Sequence, residues 1–195
     1  MIEIIGLSGT NGAGKDTVGE LLAEHYGYLF VSVTELLREE CRKRGLPIER
    51  QHLRTISAEW RRQYGLAVLV DRAIEQYEAA KDTYRGIVMA SMRNPYEADR
   101  IHELGGTMVW VDADPRVRYE RIQANAASRG RAGEDNRTFE EFLAEEQAEM
   151  QGSDDKAGLD TLAVKERSDV VISNDTTDMN ILVKEVEKSL GLTRG

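Results

Sequence analysis

The chain has 195 residues, 41% of them apolar, with 35 Asp and Glu against 26 Lys and Arg for a net charge of −9. This composition excludes a disordered chain and argues against general binding of a nucleic-acid backbone, and a single cysteine, Cys41, excludes a disulfide framework and fits a reducing compartment. At about 150 residues per domain, one domain spanning 1–195 with an insertion is expected; with no secretory signal at its start and no apolar run near the ~18 residues that span a bilayer, a cytoplasmic protein without a membrane partner is expected.

A short β-branched run predicts a buried strand over residues 2–7. Val18, Leu21, Leu22 and Tyr26 recur at helical spacing and predict a helix over 15–26, closed by Gly27. A second strand is predicted over 29–33, followed by a helix over 36–44 that ends at Gly45 and Pro47. Two further helices, over 49–64 and 66–82, are separated by Gly65. A third strand is expected over 86–91, and Asn94-Pro95 opens a helix to about residue 104, stopped by Gly105-Gly106. After a fourth strand over 107–112, Asp114 as N-cap and Pro115 in the first helical position start a helix to about residue 125. Residues 126–136 are small, polar and rich in Arg and Gly, and read as a loop. Thr138-x-x-Glu141 is a capping box at the head of a helix over 139–150, on which Glu140, Glu141, Glu145 and Glu146 read as a solvated face. A polar gap over 151–157, a fifth strand over 169–173 and a helix over 177–190 complete the chain. Strands alternating with helices imply a parallel sheet covered on both faces.

Gly9-Thr10-Asn11-Gly12-Ala13-Gly14-Lys15 fits G-x-x-x-x-G-K between a predicted strand and a predicted helix. Glycines let backbone N–H groups converge on phosphate oxygens, the helix N-terminus adds its positive dipole end, and Lys15 reaches the terminal phosphates. Residues 9–17 are therefore the expected ATP-binding loop. Where this motif usually carries a hydroxyl for Mg2+, the chain has Asp16, with Thr17 one position later. An acid in the first turn of a helix complements the dipole. Yet a carboxylate about 4 Å from a phosphate would cost up to ~4 kcal/mol at an effective dielectric of 20, unless a cation lies between them. Both readings of Asp16 stand; under the second, Asp16 and Thr17 help to hold Mg2+. The basic residues are 19 Arg and 7 Lys, and the planar fork of Arg suits a phosphate pocket.

Three further stretches carry a resemblance. Ser32-Val33-Thr34-Glu35-Leu36-Leu37-Arg38 resembles the Thr-Gly-Asp-x-Leu-Arg segment of adenylate kinase-type nucleoside monophosphate kinases. Met92-Arg93-Asn94-Pro95 stands where those kinases carry a second acceptor-phosphate arginine, and Ser168-Asp169-Val170-Val171-Ile172-Ser173-Asn174 resembles the end of the dephospho-CoA kinase sheet. The resemblance implies a P-loop three-layer α/β fold with a five-stranded parallel sheet in the order 2-3-1-4-5. It also implies an acceptor-binding helical insertion at about 34–82 and a lid at about 125–137. Its residues would be Lys15, Arg93, Arg121, Arg129 and Arg131 in catalysis. Asn174 would lie near the adenine, and Ser32, Thr34, Arg38, Arg61 and Arg93 would bind the acceptor, with Arg54 on the same helical segment. ATP, Mg2+ and a small phosphate-bearing acceptor, a nucleoside monophosphate first, are the implied partners. A hydroxyl acceptor, as in dephospho-CoA kinase, and an ATP-binding sensor that transfers nothing stay open. One departure bears on the metal: at the end of strand three these relatives place Asp-Gly or a similar acid, whereas this chain has Ala90-Ser91.

Overall fold

The computed structural model describes residues 3–125, 137–150, 152 and 154–193. Its elements in chain order are β1 (Glu3–Gly9), α1 (Lys15–Tyr26), β2 (Tyr28–Ser32), α2 (Val33–Lys43), α3 (Arg50–Tyr64), α4 (Val68–Glu78), β3 (Gly86–Ala90), α5 (Pro95–Glu103), β4 (Thr107–Asp112), α6 (Pro115–Ala124), α7 (Phe139–Met150), α8 (Thr161–Glu166), β5 (Val170–Ser173) and α9 (Met179–Leu190). The strands form one parallel sheet in the order β2-β3-β1-β4-β5, the order the resemblance implies. No helix among the described residues is long and apolar enough to cross a membrane.

The period-two alternation of a strand sends neighbouring residues to opposite faces. Ile4, Ile87, Met89 and Met108 join a core with α2, α3, α4 and α5, centred on Leu53, Ile56, Leu69 and Ile101. Ile5, Val88, Val109 and Ile172 point to the other face, where Val18, Leu22, Val183 and Val186 of α1 and α9 cover them. The central strands are thus buried on both sides, which is why they read as continuous apolar runs.

Several expected boundaries move. α2 begins at Val33, three residues earlier than predicted, with Ser32 at the N-cap position but forming no side-chain cap. α4 is shorter at both ends than the predicted 66–82. The six-residue α8 was not expected; Asp160 caps it by accepting from the Ala163 N–H at 3.0 Å. The segment before α8 is knitted to the start of α5: Asn94 donates to the carbonyls of Lys156 and Gly158, each at 2.8 Å, and the Asp160 N–H donates to the Arg93 carbonyl at 3.0 Å.

Candidate active site

The carboxyl ends of β1, β3 and β4 meet at the phosphate loop. Gly9 has φ +139°, and a Cβ there would lie 1.9 Å from the Val111 carbonyl oxygen of the paired strand, so only glycine lets the loop leave the sheet. Gly14, at φ +90°, turns the chain into α1. Other contacts fix the loop from behind. Thr10 Oγ1 donates to Asp112 at 2.8 Å, Asn174 Nδ2 donates to the Ala13 carbonyl at 2.8 Å, and Arg118 donates to the Ala113 and Asn11 carbonyls at 2.7 and 3.4 Å. Asn174, expected near the adenine, therefore spends its amide N–H on the back of the loop. Asp112 and Arg118 were not foreseen; nothing in the sequence marks the Thr10 hydroxyl as the partner of Asp112 or the loop carbonyls as partners of Arg118.

Lys15 folds back onto its own loop, donating to the carbonyls of Gly9 and Thr10 at 3.0 and 2.7 Å. Burial first, and then the charge of Arg93, lower its pKa to about 7, against the opposite pull of Asp16 and Glu149. A polyphosphate beside Lys15 would favour its charged form. Above pH 7 nucleotide binding is therefore expected to take up a proton, and affinity should fall as pH rises, by at most tenfold per pH unit. Titration calorimetry of ADP at pH 8 in two buffers of different ionisation enthalpy would check this: proton uptake should appear in the wild type and vanish in Lys15→Arg.

A cavity of about 500 Å³ opens over the loop. Lys15, Asp16 and Thr17 line it from the loop side, Thr34 and Arg38 from α2, and Arg93 from the turn after β3. Arg121 also lines it, with its guanidinium bonded to the carbonyls of Asn174 and Thr176 at 2.8 and 2.6 Å. It thereby ties α6 to the segment after β5. Arg38 is paired with Glu35 at 3.1 Å and is partly exposed. Ser91, at φ +76°, is the non-glycine residue at positive φ among the described residues, and it lies on the same wall.

A smaller cavity of about 90 Å³ adjoins the first, and Arg93 and Thr34 line both. Its apolar wall is Val33, Leu37, Leu53 and Leu69; Arg50 and Arg54 of α3 complete it. Arg61, expected to bind the acceptor, also lines this small cavity. Its side chain is 2% exposed, and its guanidinium donates to Glu97 Oε1 at 2.7 and 3.2 Å, to the Ala157 carbonyl at 3.1 Å and to Ser57 Oγ at 3.4 Å. Those bonds make it a buried tie between α3 and α5. Ser32 stands one residue short of the wall that Val33 and Thr34 provide.

The reading of a solvated face on α7 holds at Glu140, Glu141 and Glu145, which are exposed, and is corrected at Glu146. Glu146 makes a two-pronged pair with the buried Arg118, and Glu145 pairs with Arg137 and lies 3.6 Å from Arg50. Glu149 meets three arginines: Arg54 at 2.5 Å, Arg93 at 3.0 Å and Arg50 at 3.5 Å. Burial alone would raise its pKa, but the charges of Arg93, Arg50 and Arg54 outweigh it and hold the carboxyl below the usual range. Arg50 and Glu149 were not singled out from the sequence. A signal existed: Arg50 and Arg54 on α3, and Glu145 and Glu149 on α7, each stand four apart on one helical face. Arg129 and Arg131, with most of the expected lid, lie outside the described residues.

A family model described as an AAA domain matches residues 5–148. The UPF0200 protein of Pyrobaculum aerophilum is 29% identical over 194 residues, covering 97% of this chain and 98% of that protein. The UPF0200 protein of Hyperthermus butylicus is 30% identical over 148 residues, 75% of each. Among solved structures, the shikimate kinase of Bacteroides thetaiotaomicron has the same fold, with a TM-score of 0.57 at 13% identity and coverage of 98% of this chain and 99% of that one.

Proposed function

Because this chain belongs to the AAA-domain family and to the UPF0200 proteins and shares its fold with shikimate kinase, we propose that it is a P-loop kinase of the nucleoside monophosphate kinase-like kind, which transfers the γ-phosphoryl group of ATP to a small acceptor that itself carries a phosphate, a nucleoside monophosphate first. The observation that carries this reading is one cavity on which Lys15, Arg38 and Arg93 all open. A donor held by residues 9–17 and an acceptor held by guanidinium groups face each other there, and positioning of this kind contributes ~7–11 kcal/mol to a transfer. An acceptor phosphate is ionised at pH 7, so no general base is required. A hydroxyl acceptor would need one. Glu149 is the carboxylate beside the acceptor arginines, and its lowered pKa makes it a weak base, which favours the phosphate-bearing acceptor.

Mg2+ fits the residues present. No group of three or more His, Cys, Asp or Glu able to hold a metal occurs among the described residues. Mg2+ does not need one: it keeps several waters and takes one or two carboxylates with substrate phosphates. Asp16 and Thr17 would be its protein partners, and the ion would neutralise charge on the transferring group. Asp16 would then replace the acid that Ala90 does not supply. In this reading residues 1–195 are one kinase domain, with residues 34–82 forming the acceptor side. Arg121 positions the loop after β5, and Arg129 and Arg131 belong to the lid that closes over the phosphates.

The test is one assay: MgATP with a panel of nucleoside monophosphates, with dephospho-CoA and with no acceptor, following ADP and phosphorylated product. ADP formation that depends on a nucleoside monophosphate is expected. Tight ATP binding without turnover under any acceptor would overturn the reading in favour of a sensor.

A further inference from the structure

Three arginines from two elements converge on a single carboxylate. Arg50 and Arg54 stand one turn apart on α3, and Arg93 follows β3; all three lie within 3.5 Å of Glu149, whose side chain is 17% exposed. The cluster adjoins the phosphate loop, because Asn11 lines the same small cavity and Gly9 and Thr10 line the pocket beneath α7. Glu149 brings two carboxylate oxygens to these three guanidinium groups. A phosphate monoester carries ~1.5–2 negative charges at pH 7 and presents three acceptor oxygens where a carboxylate presents two. Paired guanidinium forks favour the richer acceptor.

α7 is held differently at its two ends. Near its start, Phe139 and Phe142 pack on Tyr119 of α6 with ring centroids 5.5 and 5.8 Å apart, and Arg116 stacks 3.8 Å from the Phe139 ring centre. Glu149 is the penultimate residue of the helix, and its named side-chain partners are the three arginines. Rotation of its side chain alone takes the carboxylate out of the cluster while the helix stays seated.

We propose that Arg50, Arg54 and Arg93 form the subsite for the acceptor's phosphate, and that Glu149 competes for it as a resident anion which the acceptor must displace. The inference rests on the reading of a phosphate-bearing acceptor and adds the residues that grip its phosphate and the group that guards them. An acceptor lacking a phosphate leaves the latch shut. Binding of the right acceptor turns the Glu149 carboxylate out of the cluster.

The probe is inorganic phosphate, titrated calorimetrically into full-length protein saturated with Mg2+ and the non-hydrolysable analogue AMP-PNP, so that the phosphate loop is filled. Glu149→Gln is expected to bind phosphate at least tenfold more tightly than the wild type, and the gain should disappear in Glu149→Gln combined with Arg93→Gln. A folded Glu149→Gln protein whose phosphate affinity stays within twofold of the wild type would overturn the proposal. Should Glu149→Gln fail to fold by circular dichroism, Glu149→Asp, which keeps the charge on a shorter arm, is expected to gain at least threefold, and no gain there would overturn it equally. No acceptor and no turnover enter this measurement. A missing gain therefore removes the latch and leaves the kinase reading standing, whereas a clear gain with no acceptor-dependent ADP formation removes the kinase reading alone.

Discussion

Lys15→Met is expected to lower kcat by about 10²–10³-fold, the loss seen when one preorganised donor to a transition-state anion is removed, while leaving the melting temperature unchanged or higher. The two halves of the expectation come from the same fact. Lys15 is a buried ammonium whose pKa falls to about 7 through burial and the nearby charge of Arg93. Folding holds it there at a cost that a methionine of similar length does not carry. The loop itself is fixed by other residues, chiefly Gly9, Thr10 bonded to Asp112, and Asn174 bonded to Ala13. Stability and turnover should therefore move apart. Steady-state kinetics with the acceptor that the nucleotide panel identifies, beside thermal unfolding at pH 8, is the check; a variant that loses activity and stability together would show that the lysine is structural.

Glu97→Ala is expected to cost about 3–5 kcal/mol, the range for breaking a buried ion pair and stranding its partner. Glu97 is 0% exposed and Arg61 2%. Glu97 also does a second thing: its other oxygen accepts from the backbone N–H groups of Arg93 and Asn94 at 2.9 and 3.1 Å, completing the capping box of α5. One carboxylate thus holds the core pair and the turn from which Arg93 projects. Urea unfolding should show the loss in the midpoint. Surviving protein should show a raised KM for the acceptor with a smaller change in KM for ATP, because the donor loop makes no bond to Glu97. A stability loss under 1 kcal/mol would mean that water or a neighbour compensates Arg61.

Much of this architecture is legible in the sequence. The strands, the phosphate loop and the caps at Asn94 and Asp114 are local signals, read from periodicity and from residues a few positions apart. What stays hidden has a different character. Nothing local shows that Glu97, 36 residues on, stands opposite Arg61. Glu146 looks solvated until α7 is laid against Arg118, and Glu149 gives no sign of the arginines it will meet. A charge on an amphipathic helix carries no mark of what will face it, so partners contributed by distant elements are invisible in one dimension. α8 was missed for a simpler reason: six residues are too few to display a period.

The corner at Ser91 has a further consequence. Its left-handed conformation is one that glycine adopts without strain and that costs another residue about 1–3 kcal/mol, and the relatives resembled here place Asp-Gly at this point. The amides of Ser91 and Met92 both donate to the Leu7 carbonyl, at 2.9 and 3.2 Å, and Ser8 Oγ donates to the Met92 carbonyl at 2.6 Å. Those three bonds clasp the strained corner to the strand that feeds the phosphate loop. The spacing between the two rims of the cavity is accordingly set by two main-chain bonds and one buried serine hydroxyl, like the gap of a caliper with a fixed jaw, and side-chain exchange elsewhere on either rim would alter what can be held there without altering that gap.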